Sequence, residues 1–393
     1  MLLLCLQSLA RYLKWWLRAL RPGANPSAPL TWRRILFLLL APLLLAVQVI
    51  HWLGLFLDEL LFPNYRKVKI EAPVFITGIP RSGTTFVHRT LAHDSMQFTT
   101  VSTWEAALAP SITARKIIQL ALALDAKLGS PFAKIIHALT ARAAGDFNQI
   151  HAVAPDAPEE DYLWLLPTAS SLILLLAFPD SRYLAQTAAL DTLPSSQRAR
   201  LLDFYEACIR RHLYASGKGR RFLSKNAAFA SWCPALRQRF PDAKFLLCVR
   251  EPSEALRSQL SSLAPARRLF GTDPSGQITA RLFETIFKHN YEALLRFIKN
   301  AQPGEVALID QADLRTAPKP LLGAALQQLG IQPNDSLRTQ LDHLKAHHQT
   351  QHRYQASARS EKISEIGVYL KPCYHTLLDS RFRVQATHVH DDT

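Results

Sequence analysis

The sequence predicts an α/β fold of three layers, a central parallel sheet with helices on both faces, preceded by an N-terminal membrane-associated helical segment. Three observations carry this expectation. Short apolar runs of strand length, at 74–77, 244–249 and 305–309, alternate with long helical text, as buried parallel strands do. The first of these runs passes directly into a turn bounded by Gly78 and Gly83 that opens a helix. Ahead of it, residues 1–60 read differently from the rest, rich in Leu and poor in acids.

Taken in order, residues 1–20 place Arg11, Lys14 and Arg18 among Leu, Tyr and Trp with no acid. A basic amphipathic helix of this kind lies in a membrane interface. After a breaker-rich stretch, residues 35–57 run without Asp, Glu, Lys or Arg, long enough to span roughly 30 Å of hydrocarbon. Pro42, Gln48, His51 and Gly54 interrupt this run, so a buried or interfacial hairpin is the alternative. Basic residues flank it evenly, Arg21, Arg33 and Arg34 against Arg66, Lys67 and Lys69, so charge does not orient it. A basic region ahead of Leu2 is lacking, which argues against a cleaved signal peptide.

A globular domain follows over 61–393, best supported over 61–330. Its expected helices cover 84–93, 111–143, 158–177, 196–215, a stretch opening at Pro252, 276–299, 317–329 and 336–347. Pro252 suits a first helical turn. The apolar 170–177 segment is too short to cross a bilayer and reads as core.

At 393 residues with 48% hydrophobic and 20% charged, the chain is excluded from the disordered class. Lys+Arg number 46 against 31 Asp+Glu, a net charge of +15, which suits anionic ligands or a membrane surface. Five scattered cysteines form no CxxC pair, hence neither a zinc site nor a disulfide framework. His343, His347, His348 and His352 cluster without an acidic or Cys companion, so no metal is expected. Arg210, Arg211, Lys218, Arg220 and Arg221 lack interleaved aromatics, which leaves nucleic-acid binding unsupported.

The chemistry is concentrated in 74–86, VFITGIPRSGTTF. Backbone N–H groups of Ser82, Gly83, Thr84 and Thr85 converge on an anion at the helix start, and Arg81 supplies a fork able to grip an oxyanion through two bonds. Against the P-loop pattern GxxxxGK[ST], Thr84 stands where the Lys belongs, and a nucleotide triphosphatase would lose its β/γ-phosphate contact. The site is therefore P-loop-like but not built for a metal–triphosphate. A second segment, 240–258, ends a strand in Arg250 and places Ser258 eight residues on. There the two can bracket one phosphate at the carboxyl end of the sheet.

The PRSGTT segment resembles the 5′-phosphosulfate loop of sulfotransferases that use 3′-phosphoadenosine-5′-phosphosulfate (PAPS), and Arg250 with Ser258 resembles their 3′-phosphate motif. Softer likenesses to the broad, mainly bacterial branch lie at 61–68, at Thr103-Trp104-Glu105, at 157–166 and at 223–226. The likeness spans about 61–330 and leaves out 1–60. It implies transfer of a sulfonyl group from PAPS, as co-substrate and without metal, to a hydroxyl or amine. Arg81 would stabilise the departing bisphosphate, and Lys225 resembles the lysine that begins the family's short catalytic strand. The His expected two or four residues after that lysine is replaced by Ala227 and Phe229. Glu105 resembles the catalytic Glu of some members; Glu159, Glu160 and Asp161 come next, then His88 and His151. The expected partners are a membrane and a sulfate-accepting small molecule, lipid or glycan. The catalytic domain is expected to face the PAPS-containing compartment, the cytoplasmic side in a bacterium. A non-catalytic bisphosphate-binding protein and, further off, a P-loop kinase are the alternatives.

Overall fold

A computed structural model describes residues 1–21, 28–131, 156–217, 219–344 and 360–385. Helices α1 (Leu2–Ala19) and α2 (Trp32–Leu61) come first, followed by β1 (Val74–Gly78), α3 (Thr84–Leu91) and β2 (Phe98–Thr99). Next are α4 (Thr103–Leu108), α5 (Ile112–Lys127), α6 (Ser195–Ser216) and β3 (Arg221–Lys225). Then come β4 (Lys244–Val249), α7 (Pro252–Phe270), α8 (Gln277–Lys299) and β5 (Val306–Asp310). Helix α9 (Pro318–Gln328) and the late α10 (Ser360–Leu378) complete the main elements. The five strands are all parallel in the order β2-β3-β1-β4-β5.

Strand pleating sorts the side chains into two cores. Phe75, Phe245, Leu247 and Leu308 face Phe287, Tyr291 and Phe297 of α8. Val74, Ile76, Leu246 and Ile309 face Val87 and Leu91 of α3 and Leu322 and Leu326 of α9. Burial on both faces is why these strands lack the polar alternation of an exposed sheet. The three expected strands are present within a residue or two. The expected helix at 158–177 is not: a 3-10 turn covers Asp161–Leu165 and only Leu174–Ala177 is α-helical. Pro167 cannot donate to a helix, and the Thr168 and Ser170 hydroxyls donate to the Leu165 and Thr168 carbonyls, competing for the groups a helix needs. The 170–177 segment is core as expected, with Leu174, Leu175 and Ala177 buried beside Tyr12 of α1. The long helix expected at 111–143 ends at Lys127, where Gly129 and Ser130 take positive φ; its 132–143 part lies outside the described residues, as do His151, Lys218, His347, His348 and His352.

The change of text near residue 61 does not separate two packing units. Leu4 and Cys5 of α1 and Trp52 and Leu55 of α2 belong to the same core as Phe75 and Phe245. Among the described residues one helix, Trp32–Leu61, is long and apolar enough to cross a membrane. It is continuous through Pro42. One side of it is buried, including Arg34, Gln48, His51 and Asp58; the other exposes Leu39, Leu43, Ile50 and Leu60.

Asp58 ties this helix to the domain. Its carboxylate is fully buried and accepts from the Ile112 and Thr113 N–H groups at 2.9 and 2.8 Å, which caps α5, and from Arg211 Nε of α6 at 2.9 Å. Arg211 is also held by Glu59, at 2.7 Å. Breaking a buried pair strands the surviving charge, which costs about 3–5 kcal/mol. Asp58→Ala should therefore lower unfolding stability by about 3 kcal/mol, the low end because Glu59 remains. Denaturant titration should show this as a shifted midpoint, and a shift under about 0.5 kcal/mol would remove Asp58 as the tie.

Candidate active site

The site is built where β1 and β4 come closest. Gly78 ends β1 with φ at +135°, and a Cβ there would overlap the Cys248 carbonyl oxygen of β4. Only glycine supplies both the conformation and the space. The Ile79 N–H donates to that same carbonyl at 2.9 Å, so the chain leaves the sheet edge as a tight loop. Ser82 is buried and braces the loop by donating to the Ile79 carbonyl at 2.6 Å. Gly83, with φ at +93°, starts α3, and a Cβ on it would press on Leu314. The first N–H groups of a helix have no acceptor within it, so the 83–86 amides point out of the helix end, with buried Thr84 and half-buried Thr85 among them. This is the donor set of an anion site.

Three residues chosen from sequence meet here. Arg81, held at φ +69°, donates from Nε to Ser258 Oγ of α7 at 3.1 Å. Arg250, at the end of β4, donates to the Arg81 carbonyl at 3.2 Å and pairs with Glu254 at 3.2 Å. Backbone strain of the Arg81 kind is concentrated at functional loops. The Tyr291 hydroxyl of α8 donates to the Arg250 carbonyl. Glu254 was legible as the i+4 partner of Arg250, but nothing in the local sequence points to Tyr291, whose role comes from the packing of α8.

Lys225 ends β3, opposite Ile76 of β1, and is ion-paired with Glu160. Asn226 follows it, its side chain hydrogen-bonded to Asp161, and the Thr77 hydroxyl at the end of β1 is buried with no partner among the described residues. That orphaned hydroxyl at the strand end fits a polar ligand, and the glycine-lined cradle with its arginines fits a phosphorylated one.

The candidate carboxylates arrive on two segments zipped together. The Glu159 N–H donates to the Val101 carbonyl and the Thr103 N–H to the Ala157 carbonyl, and Ser102 bridges Pro158. Glu105 folds back on Ser102, accepting from its N–H and hydroxyl at 3.0 and 3.1 Å, and its other oxygen accepts from buried Arg115 at 3.0 Å. Both oxygens are engaged in holding α4. Asp161 is fully buried and accepts from the Tyr205 hydroxyl at 2.6 Å, which also contacts Ser224. Burial pushes its carboxyl up to about 7, with the negative charge of Glu160 adding to the rise. His88 is buried against Thr100 at 2.7 Å. Burial, then the positive charge of Lys225, lowers it to about 3, so it is a neutral ring. No group of His, Cys, Asp or Glu among the described residues could hold a metal.

The Asp161 shift has a sign that can be read in solution. Its unfolded value is near 3.8 and its folded value about 7, so the folded state binds the proton more tightly. The stabilisation is complete below the unfolded value and is lost as pH rises through about 7. His88 and His212, both lowered by burial, act in the opposite sense and cost stability as pH falls below about 6.5. The difference between unfolding curves of the parent and Asp161→Asn isolates Asp161. It should show the parent losing stability relative to the variant between about pH 4 and 7. A flat difference would mean that Asp161 is hydrated and ordinary.

The profile of the Sulfotransferase family matches residues 73–335, a stretch that contains β1 to β5, the Gly78–Gly83 loop, Lys225, Arg250 and Ser258. No curated protein matches the chain. The fold is similar to that of sulfotransferase STF1 from Mycobacterium tuberculosis H37Rv, with a TM-score of 0.65 at 18% identity over 93% of each chain. It is also similar to sulfotransferase STF9 from Mycobacterium avium, with a TM-score of 0.67 at 16% identity over 90% of this chain and 87% of that one. The match covers well over half of the chain and includes every strand of the sheet, and on that ground the chain belongs to the sulfotransferase family.

Proposed function

We propose that this sulfotransferase uses PAPS as donor and transfers its sulfonyl group to a hydroxyl or amine of a small molecule, with a lipid or glycan as the acceptor class. The observation that carries the reading is the contact of Arg81 with Ser258 and Arg250 beside the glycine loop, one strand away from Lys225. Arg250 and Ser258 hold the 3′-phosphate. The 82–85 amides and Arg81 hold the 5′-phosphosulfate. Lys225 faces the sulfonate from β3.

Of the carboxylates, Glu160 is the one we assign as proton acceptor. It touches Lys225 and keeps part of its surface open, whereas Glu105 has both oxygens bound. The Lys225–Glu160 pair holds both groups until the donor is bound; Lys225 then turns to the sulfonate and Glu160 is released toward the acceptor. Glu160 takes the acceptor proton as the acceptor oxygen or nitrogen bonds to sulfur. The bond from sulfur to the bridging oxygen breaks, and its electron pair leaves with the bisphosphate. Arg81, Lys225 and the loop amides meet the charge on that oxygen, where preorganised donors contribute most.

Incubation with PAPS carrying radiolabelled sulfate and a membrane-lipid extract should give a labelled product. Tight binding of the bisphosphate with no transfer to any extract would instead favour a nucleotide-binding protein without catalysis. Arg250→Ala should weaken PAPS binding roughly ten- to hundredfold, the equivalent of about 1.5–3 kcal/mol for a charge-assisted bond. That loss should vanish with adenosine 5′-phosphosulfate, which lacks the 3′-phosphate. Equal weakening for both ligands would take Arg250 away from that group.

Two glutamate variants decide the base. Glu160→Gln should lower turnover by about 10²–10⁴ with little change in PAPS affinity, the usual effect of losing a positioned base. Glu105→Gln should mainly lower stability, because Arg115 is left buried beside a neutral partner. The reverse pattern in turnover per folded molecule would move the base to Glu105.

A further inference from the structure

Helix α2 carries two incompatible-looking faces along its whole length. Its buried face carries Arg34, Gln48, His51 and Asp58, and polar contacts tie it to the domain. Arg34 donates to the Ala177 carbonyl at 2.9 Å, Trp52 to the Pro167 carbonyl at 2.8 Å, and Asp58 holds Arg211. From Arg34 to Asp58 the helix runs about 36 Å at 1.5 Å per residue, and over that length it lies against the α/β domain. A helix crossing a bilayer in this pose would take the irregular 167–170 loop, whose Pro167 carbonyl accepts from Trp52, into hydrocarbon, which polar groups of irregular backbone resist. The outer face nonetheless exposes Trp32, Leu39, Leu43, Ile50, Leu53 and Leu60, a row of large apolar side chains of the kind that marks an interaction surface.

Helix α1 packs alongside, joined by Trp16 Nε1 donating to the Leu38 carbonyl at 2.9 Å. It has three stripes. Leu4, Cys5, Ser8 and Tyr12 are buried in the domain; Leu6, Leu13 and Leu17 are exposed; and Arg11, Lys14 and Arg18 lie between these two faces. An apolar strip bordered by cations is the arrangement that sits at the level of lipid headgroups. The basic border is also concave. A cavity of about 340 Å³ opens between α1 and the turn at 178–183, and five of its lining residues are basic (Arg11, Lys14, Arg18, Arg34 and Arg182) against one acid, Asp180. Trp15, Phe178 and Tyr183 complete its wall.

We propose that α1 and α2 dock in one leaflet of an anionic phospholipid bilayer, α2 lying in the membrane plane instead of crossing it, and that the basic cavity takes a lipid phosphate. The proposal stands apart from the sulfonyl-transfer reading, since no residue of the loop, Arg250 or Lys225 takes part. Both ends of α2 then face the same side of the membrane. Charge complementarity selects the occupant: a purely apolar partner would have no use for the cationic border, and a soluble anion none for the leucine face.

The full chain, purified in detergent, is diluted onto preformed vesicles of phosphatidylcholine alone or mixed equally with phosphatidylglycerol. Binding is read by flotation. Mixed vesicles should bind it roughly ten- to hundredfold more tightly, as a few cations near an anionic surface would provide. Lys14→Glu with Arg18→Glu should abolish that preference and leave binding to phosphatidylcholine unchanged. Leu39→Glu with Leu43→Glu should weaken binding to both kinds of vesicle, and near-UV circular dichroism should confirm that each variant is folded. Leu30→Cys and Asn64→Cys, each in a Cys373→Ser chain, should both react with a membrane-impermeant maleimide while bound. Protection of one of them until the vesicles are opened would establish a span and overturn the in-plane placement. Equal affinity for both vesicle types would overturn the headgroup site, and no binding to either would overturn the docking face.

Discussion

The buried carboxylate of Asp58 is the constraint on which the arrangement of the molecule depends. A leucine-rich helix has no directional preference for its partner, since apolar burial is non-directional. Asp58 provides one by accepting the N-terminal amides of α5 and the guanidinium of Arg211 together. From there a line of polar contacts runs inward. Arg115, one turn into α5, reaches Glu105 and His212, and His212 reaches Thr99 of β2. The far end of this line, Glu105 on Ser102, sits on the strip that is zipped to the Glu159–Asp161 segment. Asp58, Arg211, Arg115, Glu105, His212 and Thr99 are all buried, and their hydrogen bonds are directional where apolar packing alone is not. The outer helix and the rim of the active site are thus parts of one assembly.

The phosphate loop follows a second constraint, the closeness of β1 and β4. Because Gly78 lies against Cys248, the loop after β1 and the helix after β4 start within bonding distance of each other, and Arg81 can reach Ser258 while Arg250 reaches the Arg81 carbonyl. This is the place where the strand order departs in opposite directions from the centre of a parallel sheet, and such sheets bind ligands outside the carboxyl ends of the strands there. Residues 177 positions apart meet for a reason of topology, not of local sequence.

What could be read in advance divides along the same line. Local chemistry was legible: the strand runs, the glycine turn, the first-turn Pro252, and Arg250 with Ser258 at a helix's distance. The fold class and the family were accessible because they rest on such local patterns. The 158–177 segment was misread because its Leu-rich text has helical composition while Pro167, Thr168 and Ser170 divert its backbone bonds. β2 has only two residues and no run to recognise. Glu105 and Glu160 looked alike as acids near the first helix and the next. What separates them is the identity of their partners, Arg115 for one and Lys225 for the other, and partners brought from distant segments are the information that spacing does not hold. The N-terminal run was legible as a long apolar helix, but a hydropathy reading has no access to the face that Arg34, Trp52 and Asp58 turn toward the domain.

Charge balance at the strand ends supports the proposed multiply anionic donor. Arg81, Arg250 and Lys225 are its cations, and the acids in contact with two of them are Glu254 and Glu160. Asp161 would be a further full negative charge beside this group, but its burial raises the carboxyl to about 7, so near neutrality it is protonated about half of the time and can donate or accept within the Tyr205–Ser224 cluster. His88, lowered to about 3, adds no positive charge of its own. The cationic character therefore belongs to Arg81, Arg250 and Lys225, and the buried His88 behind them is a neutral ring. On the proposed reading a phosphorylated ligand would gain the arginines and Lys225, and the two glutamates it would release, Glu254 and Glu160, keep part of their surface open to water.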